Sequence, residues 1–177
     1  MPRISAATNA AQRENTKRAI LESFGQLLYS RGLPGLTMTD VAKNAGIGRT
    51  AVYNYFADMG ELLVAYALDE TERFLHELDE GIAGVTNPID QLAVYIRLQI
   101  EDLARRHLPP GPAMRSMLSP ESYARLGKHV SELQMVLANI LSDAITEKYI
   151  PENDIRELAM LVHGSLSSSA GRAEDAP

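Results

Sequence analysis

The chain has 177 residues, room for one large domain or two small ones, with 45% apolar content and no cysteine, which excludes disulfides, cysteine-ligated zinc and a thiol nucleophile. No run of about 18 apolar residues and no signal-peptide hydrophobic region occurs, so a soluble cytoplasmic protein with no membrane partner is expected. The net charge of −6 is unevenly spread: residues 1–60 carry seven Lys or Arg against four Asp or Glu, net +3, and residues 61–177 carry ten against nineteen, net −9. DNA affinity needs positive charge only where phosphates lie, and the acidic remainder points away from DNA and anionic membranes.

Helical periodicity runs almost throughout, with Pro and Gly between the periodic segments, and predicts an all-α fold. Residues 1–11 are small and polar and read as a disordered arm carrying Arg3. A first helix is expected over about 13–31, its core face formed by Ile20, Phe24, Leu27 and Leu28. Arg13, Lys17 and Arg18 at its start are either solvating charge or contacts to DNA backbone or minor groove. Gly32 stops this helix and Leu33-Pro34-Gly35 forms the link.

The stretch 37–56, TMTDVAKNAGIGRTAVYNYF, reads as two short helices joined by a tight turn. Thr39 is the expected N-cap, with Asp40 at the positive end of the helix dipole. Val41, Ala42 and Ala45 form an apolar stripe, Gly46 ends the helix, and Ile47 is expected as a buried plug. Gly48 starts a second helix, Arg49 to about Phe56, whose Val52 and Phe56 pack inward. Arg49, Thr50, Tyr53 and Asn54 spread over the remaining surface. A second helix set after a Gly-containing turn is the arrangement that enters the major groove. Arg49, Thr50 and Asn54 are the candidates for base edges, Arg favouring guanine and Asn adenine. Thr37, Thr39, Lys43, Tyr53 and Tyr55 suit phosphates, with packing on the first helix the alternative for the two tyrosines.

Asp58 and Glu61 make a capping box for a helix over about 59–80 carrying Leu62, Leu63, Tyr66, Leu68, Phe74 and Leu78. Gly81 to Thr86 reads as a hinge. Asn87-Pro88 starts a fifth helix over about 88–106, with Ile89, Leu92, Ala93, Ile96, Ile100 and Leu103 expected on its buried face. His107 to Pro112 breaks it, and 113–118 form a short sixth helix. Ser119-Pro120 starts a seventh, running to about Lys148 on Leu126, Val130, Leu133, Leu137, Ile140, Leu141 and Ala144. Pro151 separates it from a last helix over about 153–170, with Ile155, Leu158, Ala159, Val162 and Leu166.

Residues 20–63 resemble the N-terminal domain of the TetR (TetR/AcrR) family of bacterial transcriptional regulators. The resemblance is continuous and rests on Ile20, Phe24, Gly32, Thr37, Met38, Asp40, Val41, Ala42, Ala45, Gly46, Ile47, Val52, Tyr53, Tyr55, Phe56, Glu61 and Leu62. Two departures are plain: Gly48 stands where the family usually has a capping Ser or Thr, and Met59 where a phosphate-contacting Lys is usual. The resemblance implies phosphate roles for Thr37, Tyr53 and Tyr55. It also implies a DNA-binding domain over 1–58, a connecting helix over 59–80, and an effector-binding and dimerisation domain over 81–177. Family members usually carry one more long helix and dimerise through the last two. This chain ends before such a helix, so either that helix is absent or helices seven and eight form the dimer alone, with Gly164, Ser165, Ser168 and Ser169 permitting close approach.

A dimer on a pseudo-palindromic operator is expected, since one short recognition helix reads few base pairs. The implied effector is small and apolar or amphipathic. Its candidate contacts are Tyr95, Leu98, Gln99, Met114, Met117, Leu118, Tyr123 and Met135, a Met- and Tyr-rich set that is adaptable and mostly apolar, or else simply core and interface. No phosphate loop, nucleophile elbow or HExxH motif occurs, so no catalysis, cofactor or metal is expected. The implied function is a ligand-responsive repressor. A metal-responsive regulator using His129 and His163 with Glu101 or Glu132, or a helical protein-interaction adaptor, is the alternative.

Overall fold

The computed structural model describes residues 6–105, 108 and 111–174, which form helices without a β-strand among them. The chain divides into two compact units, Met1–Ala67 with His107–Tyr123, and Leu68–Arg106 with Ala124–Pro177.

The first unit holds α1 (Ala6–Arg31), α2 (Met38–Asn44), α3 (Arg49–Tyr53), the start of α4 (Met59–Ile82), α6 (Gly111–Met117) and the start of α7 (Pro120–Thr146). Helix α1 begins well before the expected position, so residues 6–11 are helical and not an arm. Ala6, Ala7, Ala10 and Ala11 are the strongest helix formers, and no breaker interrupts them. Arg3 lies outside the described residues.

The core of this unit forms as the periodicity predicts. Ile20, Phe24, Leu27 and Leu28 of α1 are buried with Val41 and Ala42 of α2, Val52 of α3, Phe56, and Leu62, Leu63 and Tyr66 of α4. Phe24 and Tyr66 meet edge-to-face with centroids 5.5 Å apart. Gly25 stands mid-helix, where glycine is about 1 kcal/mol worse than alanine. A Cβ there would lie 2.9 Å from both Cε2 and the hydroxyl of Tyr66, so the glycine is what lets that ring reach α1. Ser23 is also buried, and its hydroxyl donates to the Val41 carbonyl at 3.1 Å, tying α1 to α2.

The second unit holds the rest of α4 and α7, with α5 (Pro88–Arg105) and α8 (Ile155–Glu174). Its core is Phe74, Leu78, Tyr95, Leu98, Leu137, Ile140, Leu141 and Leu166. Three expectations fail here. Gly81 is no hinge: α4 continues to Ile82, and a Cβ on Gly81 would sit 3.0 Å from Val94 Cγ1 and 3.3 Å from Leu98 Cδ1, so the residue marks close packing of α4 on α5. Helix α5 is also turned. Its buried stripe is Tyr95, Leu98, Gln99 and Asp102, while Ile89, Leu92, Ile96 and Leu103 are half-buried, Ala93 is exposed and Ile100 is 49% exposed. The ring of Tyr95, edge-to-face on Phe74 at 6.0 Å, has a larger surface to bury than any single aliphatic side chain, and it sets the rotation of the helix. On α7, Val130 is likewise exposed, contrary to expectation.

The C-terminal end of α7 closes with Lys148 at φ 63°, its N–H donating to Ile145 O and that of Tyr149 to Ala144 O. This left-handed position favours glycine. Tyr149 repays part of the strain by accepting from Asn87 Nδ2 at 3.1 Å, and Asn87 caps α5 through Oδ1 to the Ile89 N–H.

Two substitutions test this account in thermal or urea unfolding. Gly25→Val should lower stability by about 1–3 kcal/mol through overpacking against Tyr66. Lys148→Gly should raise it by up to about 1 kcal/mol by relieving the left-handed strain.

Candidate nucleic-acid interface

Helix α2 begins two residues earlier than expected. Thr37, not Thr39, is the N-cap, with extended backbone at φ −120°, ψ 157°. The reason is reciprocity. Thr37 Oγ1 accepts from the Asp40 N–H at 3.2 Å, and Asp40 Oδ2 accepts from the Thr37 N–H at 2.9 Å, a capping box that Thr39 has no acidic partner to complete. The Thr37 hydroxyl also donates to the same carboxylate. Thr39 instead sits exposed within the first turn.

The turn is closed by backbone. The Gly46 N–H donates to Lys43 O at 3.3 Å and the Ile47 N–H to Ala42 O at 3.0 Å, with Gly46 at φ 69°. That paired bonding after a helix needs a left-handed residue, which Gly46 supplies. Ile47 is half-buried, less than a full plug. Gly48 caps α3 with extended backbone and no side-chain bond. Helix α3 ends at Tyr53, short of the expected Phe56. Residues 54–56 continue as a turn whose N–H groups return to Ala51 O and Val52 O.

Burial of Val52 and Phe56 orients this segment, and its other side chains face out. Thr37, Thr39, Lys43, Arg49, Thr50, Tyr53 and Asn54 are all exposed, and Tyr55 is half-buried. Two pairings extend the cationic surface. The Arg49 guanidinium lies 5.5 Å from the Tyr53 ring centroid, with Nη2 3.5 Å from the Tyr53 hydroxyl. The Arg13 guanidinium, expected as solvating charge or as a contact to DNA backbone or minor groove, lies 5.4 Å from the Tyr55 ring centroid. Exposed pairs of this kind are worth about 0.5–1 kcal/mol, so a guanine edge or a phosphate can displace them.

The candidate effector residues fall in both units. In the first, Met114 and Leu118 are buried, Met117 is 47% exposed, and Tyr123 is half-buried beneath the Arg115 guanidinium at 5.5 Å. Leu118 Cδ2 would be 3.6 Å from a Cβ on Gly60, so the end of α6 packs at the start of α4. In the second, Tyr95, Leu98 and Gln99 are buried together on one stripe of α5, while Met135 is 58% exposed, off the Leu133–Leu137–Ile140 stripe of α7. A surface depression of about 350 Å³ on α4 is lined by Asp69, Glu72, Arg73, His76 and Glu77. Among its charges, Arg73 pairs with Asp69 at 3.6 Å and Glu77 with Arg105 at 3.0 Å. Among the described residues no group of three metal-binding side chains converges. His163 is half-buried against Tyr95, and the side chain of His129 lies outside the described residues. Among the described residues no helix is long and apolar enough to cross a membrane.

Residues 20–66 match the family model described as bacterial regulatory proteins, tetR family. An uncharacterized HTH-type transcriptional regulator of Haemophilus influenzae is 36% identical over 74 residues, 41% of this chain and 36% of that protein. Another from Mycobacterium tuberculosis is 33% identical over 88 residues, 50% of this chain and 44% of that protein. The alignments thus span less than half the length of these curated relatives. Among solved structures, regulatory protein TetR from Rhodobacter sphaeroides superposes with a TM-score of 0.75 at 17% identity, covering 89% of this chain and 88% of that one. The transcriptional regulator FadR from Bacillus subtilis, solved in complex with stearoyl-CoA, gives 0.73 at 19% identity, covering 86% and 84%. At such identities the likeness is one of fold.

The capping box gives a prediction with a pH signature. Hydrogen bonds from the Thr37 side chain and backbone hold the Asp40 carboxyl below its ordinary value of 3.8. A depressed folded-state pKa stabilises above the unfolded value and is lost as pH falls through the folded one. Thr37→Ala should therefore lower stability at neutral pH, and the penalty should shrink as pH falls below the ordinary Asp range when unfolding is followed against pH.

Proposed function

We propose that this chain, a TetR-family transcriptional regulator, works as a homodimeric repressor. It binds a pseudo-palindromic operator and releases it when a small apolar or amphipathic effector binds. The observation that carries the reading is the exposed row Arg49, Thr50 and Asn54, presented on a short helix whose opposite face, Val52, is fully buried. A side chain reads base edges only when its helix is held at a fixed angle, and here both the turn at Gly46 and the core below Val52 hold it. Thr37, Thr39, Lys43, Tyr53 and Tyr55 take phosphates, with Arg13 on the Tyr55 ring as a further contact.

Support for a dimer comes from apolar exposure on the last two helices. Met135 on α7 and Met160 and Leu161 on α8 are 58%, 68% and 67% exposed. Such side chains on neighbouring helices suit a two-fold helical interface. Support for an effector comes from the Met- and Tyr-rich set on α5 to α7, and a structural neighbour has been solved with an acyl-CoA. Ligand and DNA then compete through two states of the dimer, one with recognition helices at groove spacing and one without, and each weakens the other by the same factor. Helix α4 runs through both units and is the lever.

Selection of bound sequences from random duplex DNA at near-physiological salt should recover a pseudo-palindrome with half-sites about one helical turn apart. Arg49→Ala should lose specific binding by about 1–3 kcal/mol with its helical spectrum unchanged; undiminished affinity would remove Arg49 from the interface. Leu161→Asp should yield monomers in sedimentation and abolish tight binding to the full site. A dimer unaffected by that change places the interface elsewhere.

A further inference from the structure

Among the described residues of the second unit, three buried polar atoms have no hydrogen-bond partner: Tyr95 Oη, Gln99 Oε1 and His163 Nε2. Tyr95 is fully buried and Gln99 is 8% exposed, one turn apart on the inward stripe of α5. His163, on α8, sets its ring edge-to-face against that of Tyr95 at 6.3 Å. Helix α5 thus exposes Ile100 while it turns a phenol and a carboxamide into an apolar cluster. An orphaned buried polar group is destabilising, and native interiors rarely hold one without a use for it.

We propose that Tyr95, Gln99 and His163 form the recognition point for the uncharged head of an amphipathic effector, a hydroxyl or carboxamide that both donates and accepts hydrogen bonds. The proposal rests on the effector reading above and deepens it. Gln99 Oε1 only accepts, so the head must bring an O–H or N–H. Tyr95 Oη can donate to the head or accept from it, and His163 Nε2 does either according to its tautomer. An ionised head is disfavoured twice. A carboxylate would set its oxygens against the Gln99 carbonyl oxygen, and an ion would lose its hydration among Phe74, Leu98 and Leu137. The same burial pushes the Tyr95 hydroxyl up and the His163 imidazolium down, so both side chains are neutral near pH 7. The apolar body of the effector takes the place of core contacts between α5 and α8. Because Tyr95 is fully buried, entry parts these helices, and Phe74, edge-to-face with Tyr95, carries the displacement to α4.

The test uses the full chain as wild type, Tyr95→Phe and Gln99→Met. Without ligand, Tyr95→Phe should leave Tm unchanged or raise it, because it removes a hydroxyl that has no partner; a fall of several degrees would show that the hydroxyl is bonded in the free protein and overturn the proposal. The probes are decanol and decanamide, each titrated against decane and decanoate by calorimetry and by Tm shift. The uncharged polar pair should bind wild type at least about tenfold more tightly than decane or decanoate, and each variant should lose up to about tenfold of that advantage. Equal binding of decane or decanoate, no binding of any probe, or binding indifferent to both substitutions overturns the proposal. Specific DNA binding measured on the same preparations separates this from the regulator reading, which fails only if wild type itself selects no DNA sequence.

Discussion

The contact on which the first unit depends is the seat that Gly25 makes for the Tyr66 ring. Helix α3 has five residues, too few to be stable alone, since helix nucleation is costly and short isolated helices melt. Its orientation is therefore borrowed from α1. Helix α1 is long, and one of its faces holds Phe24 against Tyr66 of α4, while the neighbouring Ser23 hydroxyl reaches the Val41 carbonyl of α2. The long helices α1 and α4 are thus registered by a ring and the missing side chain at position 25, and the short helix α2 is tied to α1 by a hydroxyl. The polar row of α3 inherits that register through Val52.

Much of this was legible because local chemistry and packing agree in the first unit. Glycine at 46 in a left-handed turn, inward Val52 and Phe56, and the four-residue beat of Ile20, Phe24 and Leu28 all follow from spacing alone. What was misread at the capping position has a simple cause. Thr37 and Thr39 are equally good caps by residue type, and only the reciprocal bond with an acid three residues on selects between them, so Asp40 decides for Thr37. The partnership of Arg13 with Tyr55 joins residues far apart in sequence and had no local signal.

The second unit was read less well, for a physical reason. Periodicity weighs each aliphatic residue alike and treats tyrosine and glutamine as outward-leaning. Along α5 that places Ile96, Ile100 and Leu103 on the buried face. The interior instead selects by shape: Phe74 offers a ring-sized recess, Tyr95 fills it, and Gln99 and Asp102 follow inward because they lie on the same stripe. At Gly81 a similar error arises, since glycine near a helix end signals both a hinge and a close approach. The atoms of Val94 and Leu98 within 3.3 Å of its missing Cβ decide for the latter.

That misreading bears on mechanism. A helix that served only to fill a core would gain by turning Ile96 and Ile100 inward, where they would bury apolar area at about 25 cal/mol per Å² without stranding a polar atom. Helix α5 does the reverse, and one of its stranded groups, Tyr95, sets its ring against the half-buried imidazole of α8. A regulator has to hold an unliganded state that is stable yet ready to be displaced by differential binding of a few kcal/mol. In the proposed effector response, the unsatisfied polar atoms of Tyr95, Gln99 and His163 supply that condition: they lower the stability of the closed interior, and a ligand that satisfies them would recover the deficit only in the state where the helices have parted. The strength of the response is then set by how many of these atoms the ligand reaches, and not by the apolar area it buries.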